Sequence, residues 1–149
     1  MRRKIDDEPR PLQDPVPPLN FEPRNGRPHE KLQCWKDAID LVVSVYKATS
    51  CFPPSEQYAL TSQMRRAAVS VPSNVAEGVA RRGDAERRQF LLIARGSLSE
   101  LETQLIIAER LGYLAEATTQ DLLALSGKVG AMLNGLLRRF SCRPPGGSS

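Results

Sequence analysis

The stretch TSQMRRAAVSVPSNVAEGVARR, residues 61–82, decides the fold of this chain. Its apolar side chains recur at three- and four-residue steps, which predicts an amphipathic helix. The predicted core row, which begins one residue earlier, is Leu60, Met64, Ala68, Val71, Val75 and Val79. Pro72 lies in the middle and removes a backbone donor, so a kink is expected. The small residues around it allow another helix to approach closely.

Three further helices are predicted around this one, over residues 32–50, 85–111 and 118–140. Short links join them, and no segment has the two-residue period of a strand. The sequence therefore predicts an all-α, antiparallel up-down-up-down four-helix bundle with a kinked second helix.

Local signals predict where the helices begin and end. Ser55 is the expected N-cap of the second helix, and Gly83 is expected to end it in the left-handed conformation. Asp84 then caps the third helix, which ends at Gly112, and Thr118 opens the fourth.

Each remaining helix has its own apolar row. The first helix is expected to bury Leu32, Trp35, Ile39, Val42, Val43 and Tyr46, with Asp37 and Asp40 on other faces. The third carries Phe90, Ile93, Ala94, Ser97, Leu101, Leu105, Ala108 and Leu111. Leu98, Ile106 and Ile107 widen that row enough for a second neighbour. The fourth row is Leu122, Leu125, Val129, Met132, Leu133, Leu136 and Leu137.

Composition divides the chain into three parts. Residues 1–30 hold seven of the 12 prolines and few large apolar residues, so they are predicted to form a disordered proline-rich tail. Residues 31–140 form the bundle, and residues 141–149 form a flexible C-terminal tail. The N-terminal tail either has no function of its own or acts as a docking arm for a partner.

Charge and cysteine content narrow the class of protein. Lys and Arg number 21 against 17 Asp and Glu, a net charge of +4 that permits a polyanionic partner without requiring one. Three cysteines, an odd number, argue against a disulfide framework and favour reduced thiols in the cytoplasm. No apolar run is long enough for a transmembrane helix, so no membrane partner is expected.

Catalytic and metal-binding patterns are missing from the sequence. The only histidine, His29, lies in the predicted tail. No Glu-x-x-His pair, Cys/His cluster or glycine-rich phosphate loop occurs. We therefore expect no enzyme activity, no metal site and no cofactor.

A group of arginines is the candidate nucleic-acid site. It consists of Arg65, Arg66, Arg81, Arg82, Arg87, Arg88 and Arg95, opposed by three acidic residues over the same stretch. Residues 99–116 instead carry four glutamates and one arginine, so charge is polarised along the bundle. Arginine binds phosphate oxygens well, although a solvated helix end explains the cluster equally. No aromatic residues interleave with these arginines, so contacts to backbone and shape are expected rather than base stacking.

A polar stripe follows the second helix opposite its core row: Arg66, Ser70, Ser73, Asn74 and Glu77. It is interpreted as a subunit interface, with Arg66 and Glu77 pairing within or between chains. The alternative is a ligand or peptide site in a groove that the kink opens. Asn74 either satisfies carbonyls freed by Pro72 or bonds across the interface.

Several segments resemble one bacterial family. They are LQCWKDAIDLV (32–42), YALTSQMRRAAVSVPSNVAEGVARR (58–82), FLLIARGSLSELETQLIIAERLGYL (90–114) and MLNGLLRRF (132–140). Together they are similar to the small four-helix-bundle proteins encoded in intervening sequences of 23S ribosomal RNA genes. The resemblance covers residues 31–140. Ala59 stands where a glycine is expected, and the proline-rich head is longer than expected.

The resemblance implies a homopentamer and no catalytic residues. It also implies a fold similar to the accessory proteins of diversity-generating retroelements, basic pentamers that partner a reverse transcriptase and its RNA. The working hypothesis is a non-enzymatic, homo-oligomeric basic scaffold for RNA, DNA or a ribonucleoprotein. The rivals are an oligomeric protein-interaction scaffold without nucleic-acid contact, in which the tail binds the partner, and a bundle that binds a small ligand.

Overall fold

The structure, a computed structural model, describes residues 26–141. Its α-helices are α1 (Gln33–Thr49), α2 (Leu60–Ala80), α3 (Asp84–Arg110) and α4 (Glu116–Arg139). Two 3-10 turns, Pro28–Lys31 and Pro54–Glu56, precede α1 and α2. No strand occurs among residues 26–141. The predicted all-α, four-helix class is confirmed.

Each helix packs against two neighbours, so the four form a closed square: α1 with α2 and α4, and α3 with α2 and α4. Contacts between α2 and α3 run in opposite directions. Ser70 shares a hydrogen bond of 2.8 Å with Ser97, and Gly78 packs against Phe90. Residue numbers therefore increase along α2 as they decrease along α3, so the two helices are antiparallel.

The same holds for α3 and α4. Ser126 donates to Glu102, and Arg88 reaches the carbonyl of Leu137 near the other end. The end of α4 therefore lies beside the start of α3.

Glycine and serine bring α2 and α3 close together. A Cβ atom added at Gly78 would lie 3.2 Å from both the Arg87 carbonyl oxygen and Phe90 Cβ. The Ser70–Ser97 hydrogen bond joins the helices two turns away. The close approach predicted for the small side chains of α2 thus occurs within one chain.

Pro72 is buried, and α2 continues through it from Leu60 to Ala80. The carbonyl that lacks its usual amide donor is that of Ala68, one turn back. Asn74 Nδ2 instead donates to the carbonyl and hydroxyl oxygens of Ser70, at 2.8 and 2.9 Å. The kink itself stays a prediction.

The predicted start of the second helix was wrong. Residues Pro54–Glu56 form a 3-10 turn, and α2 begins only at Leu60. The Glu56 carboxylate accepts the Leu60 amide at 3.2 Å, so Glu56 rather than Ser55 caps the helix. Residue spacing alone does not distinguish Glu56, which lies in a turn before the helix, from a residue in the first turn of the helix.

Other helix ends differ from expectation as well. Gly83 has φ −98° and is the N-cap of α3, so it does not end α2 in the left-handed region, and Asp84 is already helical. Gly112, with φ +78°, does adopt that conformation after α3. The fourth helix begins at Glu116, before Thr118.

The core rows of α2 and α4 largely match the sequence pattern. Met64, Ala68, Val71 and Val75 are fully buried on α2. On α4 the buried apolar side chains are Leu122, Val129, Leu133 and Leu137. The periodicity of these two helices was sufficient to identify the buried face.

The row predicted for α1 is wrong in orientation. Its buried apolar side chains are Cys34, Ala38, Leu41 and Val45, and Asp37, expected elsewhere, is also buried. Tyr46 is 40% exposed, and Trp35 is only partly buried. The prediction followed the largest apolar residues. These lie on a face of the helix that is rotated by about one residue from the face that packs against the other helices.

On α3 the buried row is Leu91, Ala94, Leu98, Leu101, Leu105 and Ala108. Ile93 and Leu111, predicted to lie in the core, are 46% and 54% exposed. The prediction failed because apolar residues nearly surround this helix, so that periodicity does not select one face.

The folded chain begins slightly before residue 31. Glu30, in the 3-10 turn Pro28–Lys31, is buried, and the His29 ring lies 5.1 Å from the Trp35 ring. The rest of the predicted N-terminal tail (1–25) and residues 142–149 of the predicted C-terminal tail lie outside the described residues.

We expect Gly78→Leu to lower the free energy of unfolding by about 1–3 kcal/mol, because the new side chain must separate α2 from α3. Gly127→Ala is the matched control: Gly127 is exposed on α4, and nothing lies within 4 Å of an added Cβ. It should gain about 0.5–1 kcal/mol from helix propensity. Denaturant unfolding measures both, and equal stability of the two variants would contradict the close packing.

Candidate nucleic-acid interface

A cluster of arginines, here called the basic end, lies where α2 ends, α3 begins and α4 ends. Its members are Arg81, Arg82, Arg87, Arg88, Arg138 and Arg139. The Arg88–Leu137 bond of 2.8 Å joins α3 to the last turn of α4. Sequence reasoning missed Arg138 and Arg139 as site residues. The antiparallel order of the helices was the signal that could have identified them.

Three of these arginines, Arg81, Arg87 and Arg88, make contacts that stabilise the helix ends. Arg81 pairs with Glu77 at 3.0 Å, and its guanidinium lies 4.9 Å from the centre of the Phe90 ring. Arg87 Nε donates to the Arg81 carbonyl at 2.8 Å, with an ion pair to Asp84 at 2.9 Å.

The carbonyl that Arg88 binds belongs to the C-terminal turn of α4, where helical carbonyls lack amide partners. The Arg87 guanidinium also lies 5.2 Å from the centre of the Phe140 ring, at the end of the same helix. Arg87 and Arg88 are only half exposed. These side chains therefore have structural contacts that explain their positions.

The other three are free to bind. Arg82, Arg138 and Arg139 are exposed, and their side chains make no hydrogen bond or ion pair with any of the residues 26–141. A shallow groove of about 460 Å³ adjoins Arg82, lined by Arg81, Gly83 and Glu86 among others. Unpaired guanidinium groups at one end of a bundle suit a phosphate backbone.

The opposite end of the bundle carries charges of both signs. Its acidic residues are Glu56, Glu109, Glu116 and Asp121, and its basic residues are Lys47, Arg65, Arg66 and Arg110. The Tyr113 hydroxyl donates to Glu56 at 3.1 Å, which connects the two loops there. The predicted polarisation of charge is therefore only partial: arginines are in excess at the basic end, and charges of both signs share the other end.

The seven arginines predicted as one site do not lie together. Arg65 lies 16 positions before Arg81 on the same helix, a rise of about 24 Å, so Arg65 and Arg66 lie far from the basic end. Arg95 faces α4, where it donates to Asn134 at 3.3 Å. Proximity in sequence joined groups that a long helix separates.

Arg65 lies against α1 in an aromatic environment. Its Nε donates to Thr49 Oγ1 at 2.9 Å, and its guanidinium lies 4.6 Å from the centre of the Tyr46 ring. The expectation that no aromatic residue accompanies the arginines fails in three dimensions, because the ring comes from another helix. A groove of about 560 Å³ opens beside Arg65 and Arg66.

The polar stripe of α2 is partly used within the chain. Ser70 bonds Ser97, Asn74 bonds Ser70, and Glu77 pairs with Arg81 rather than with Arg66. The Ser73 hydroxyl donates to the Val69 carbonyl at 2.8 Å. A subunit interface on this stripe stays a prediction.

The exposed apolar side chains of α3 are here called the outer row and lie in two groups about 20 Å apart along the helix. Leu92 and Ile93 form one group, and Ile106, Ile107 and Leu111 form the other; all five are exposed by 38 to 54%. Exposed apolar patches on soluble proteins commonly mark interaction sites.

A buried carboxylate lies where α1 meets α4. Asp37 accepts from Gln33 Nε2 at 2.8 Å and pairs with Lys128 at 3.2 Å. Burial, with a smaller contribution from Asp37, raises the pKa of Cys34 to about 11. Burial and Asp37 also raise the pKa of Asp40, against the opposing charge of Lys128. Cys34 therefore remains a protonated thiol at neutral pH and a poor nucleophile.

Metal-binding and membrane-spanning features are absent from residues 26–141. No group of three or more His, Cys, Asp or Glu side chains there could hold a metal ion. None of the helices in that range combines the length and apolar character needed to cross a bilayer.

Comparison with known proteins gives a family and a similar solved structure. Residues 30–135 match the family described as 23S rRNA-intervening sequence protein. The fold is similar to that of a protein of unknown function from the S23 ribosomal protein family of Bacteroides thetaiotaomicron, with 19% identity and a TM-score of 0.63. The match covers 70% of this chain and 98% of the other. No curated protein matches.

The two classes of arginine should differ in their effect on stability. We expect Arg88→Ala to lower the free energy of unfolding by about 1–2 kcal/mol, because a charged hydrogen bond to a carbonyl is lost. Arg82→Ala, which removes no contact within the described chain, should stay within about 0.5 kcal/mol of the parent. Thermal or denaturant unfolding tests this difference, and similar losses in both variants would contradict it.

Proposed function

Because the chain belongs to the 23S rRNA-intervening sequence protein family, we propose that it is a non-enzymatic, homo-oligomeric scaffold that binds RNA. The observation that carries this proposal is the set of three exposed, unpaired arginines at the basic end: Arg82, Arg138 and Arg139. Arg82 lies in the turn between α2 and α3, and Arg138 and Arg139 lie in the last turn of α4, so a single phosphate backbone can contact several of them at once.

Electrostatics favours a polyanion as the partner. The chain carries a formal charge of +4, and the six arginines of the basic end outnumber the acidic residues on the same helix ends, Glu77, Asp84 and Glu86. Guanidinium groups bind phosphate oxygens in pairs of hydrogen bonds, and counterion release makes such binding strongly salt-dependent. Such contacts recognise backbone and shape more than sequence. RNA is the polyanion we propose, with DNA as the less favoured partner.

Self-association would multiply this charge. A ring of five copies, the assembly implied by the family resemblance, presents five basic ends together. The outer row of α3 supports assembly, because five large apolar side chains remain exposed on one chain. Covering them with another copy removes apolar surface from water, which favours association.

The proposed setting is a cytoplasmic ribonucleoprotein, such as a complex with a reverse transcriptase, in which the scaffold holds RNA. No membrane and no cofactor take part in the proposal.

A second candidate function follows from the outer row of α3. An apolar surface binds proteins rather than phosphate, so the same bundle could be an interaction scaffold without RNA. Affinity capture with and without nuclease distinguishes the two. A partner that stays bound after nuclease treatment favours the second function, and a partner released by nuclease favours the first.

RNA binding should depend on which end of the bundle loses an arginine. We expect Arg82→Glu to weaken RNA binding several-fold and to reduce the slope of log affinity against log salt by about one or more. Arg110→Glu is the matched control, because it makes the same charge change on an exposed arginine at the end opposite the basic end. Fluorescence anisotropy over a range of salt concentrations measures both, and equal losses in the two variants would argue against a basic-end site.

Assembly should depend on the outer row. We expect Ile107→Glu to shift the protein to smaller species in sedimentation velocity, because a carboxylate would be buried at the contact. The side chain is 44% exposed in the single chain, so the bundle should stay folded. Ala124→Glu, at an exposed position on α4, controls for added charge. An unchanged sedimentation profile for Ile107→Glu would exclude the outer row as the contact.

A further inference from the structure

We propose that the groove beside Arg65 binds one unpaired nucleotide of an RNA strand. It lies about 24 Å along α2 from the basic end and is a second contact point. Its volume is about 560 Å³, and it is lined by Tyr46, Tyr58, Thr61, Ser62, Arg65 and Arg66, among others. The inference rests on the proposed RNA binding and specifies which form of RNA is recognised.

Arg65 is held ready to bind an anion. Its Nε donates to Thr49 Oγ1 at 2.9 Å, and the Thr49 hydroxyl in turn donates to the Val45 carbonyl at 2.8 Å. The guanidinium rests on the Tyr46 ring at 4.6 Å. Its four other N–H groups make no hydrogen bond with any described residue, so they are available for phosphate oxygens.

Thr61 gives an independent sign of a ligand. Its side chain lines the groove and is only 6% exposed, yet its hydroxyl makes no hydrogen bond within residues 26–141. Buried hydroxyl groups nearly always have a partner, because leaving one unpaired costs roughly 1–3 kcal/mol. Because the hydroxyl oxygen has almost no access to solvent, a ligand oxygen in the groove can become that partner only when the Thr61 side chain turns toward it.

Tyr58 supplies a stacking surface. Its side chain is 90% exposed, and it belongs to the turn just before α2. An aromatic ring this open costs little to cover, and any base can stack on it. The ring lines the same groove as the two arginines, so a stacked base would have its phosphate near guanidinium groups.

This combination selects an unpaired nucleotide. In a duplex the bases stack on each other and are closed to a protein ring, whereas a base in a loop or single strand is open. Arg65, Arg66 and the hydroxyl groups suit phosphate and ribose oxygens, and Tyr58 suits the base. A bare anion would leave Tyr58 unused, and an apolar ligand would leave two arginines unpaired.

The test compares Tyr58→Ala with Tyr58→Phe, which keeps the ring and serves as the matched control. Fluorescence anisotropy measures binding of a short oligouridine, which is unstructured, and of a blunt-ended RNA duplex. We expect Tyr58→Ala to weaken oligouridine binding about five-fold or more and to leave duplex binding unchanged. Tyr58→Phe should match the parent for both probes.

Every other outcome contradicts the groove assignment, the basic-end site or both. If Tyr58→Ala binds oligouridine as the parent does while Arg82→Glu weakens RNA binding, the groove assignment fails and the proposed function stands. If Tyr58→Ala weakens oligouridine binding and Arg82→Glu does not, the basic end is excluded as an RNA site and the groove assignment stands. Displacement of oligouridine by equimolar uridine monophosphate would assign the groove to a free nucleotide. A parent that binds neither probe would refute both proposals.

Discussion

The close approach of α2 and α3 is the constraint on which the remaining structure depends. At Gly78 the two backbones leave no space for a side chain, and at Ser70 a hydroxyl reaches directly to Ser97. Helices this close can be joined by a very short turn, and α3 begins four residues after α2 ends. That turn places Arg81 against Phe90 and Arg87 against the Arg81 carbonyl. The position of the basic end is thus a consequence of small residues in the helix before it.

The arginines show that a charge cluster in a sequence can combine different roles. Arg87 and Arg88 hold the ends of α3 and α4 together, and Arg65 is bound to α1. Arg82 has no such contact with the described chain. Bound arginines have fixed positions and little freedom to follow a ligand, whereas free ones adapt to an irregular backbone. The groove at Arg65 and the basic end therefore present two different surfaces: one has a fixed guanidinium beside exposed aromatic rings, and the other has arginines without fixed partners.

Much of the fold could be predicted from the sequence, because each helix carries a periodic apolar row and the links are short. The buried face of α2 followed directly from its period, since polar and small residues exclude the other faces. The sequence did not predict which face of α1 is buried. Trp35 and Tyr46 are larger than Ala38 and so were assigned to the core, but Ala38 is the residue that packs there. Individual side-chain contacts between helices were out of reach. Nothing local to Arg65 indicates Tyr46, and nothing local to Arg88 indicates the Leu137 carbonyl, because these neighbours arise only when the bundle closes.

The excess of arginine at one end of the bundle has a consequence for how the molecule approaches a partner. Helix dipoles largely cancel between antiparallel neighbours, so the side chains dominate the electric moment of the described chain. Arginines are in excess at the basic end and charges of both signs share the other end, so the positive pole of that moment lies at the basic end. Near a polyanion at low ionic strength the resulting torque turns the bundle before contact, so that the arginines arrive first. Orientation during the encounter is thus determined by the same charge pattern that would hold the complex together.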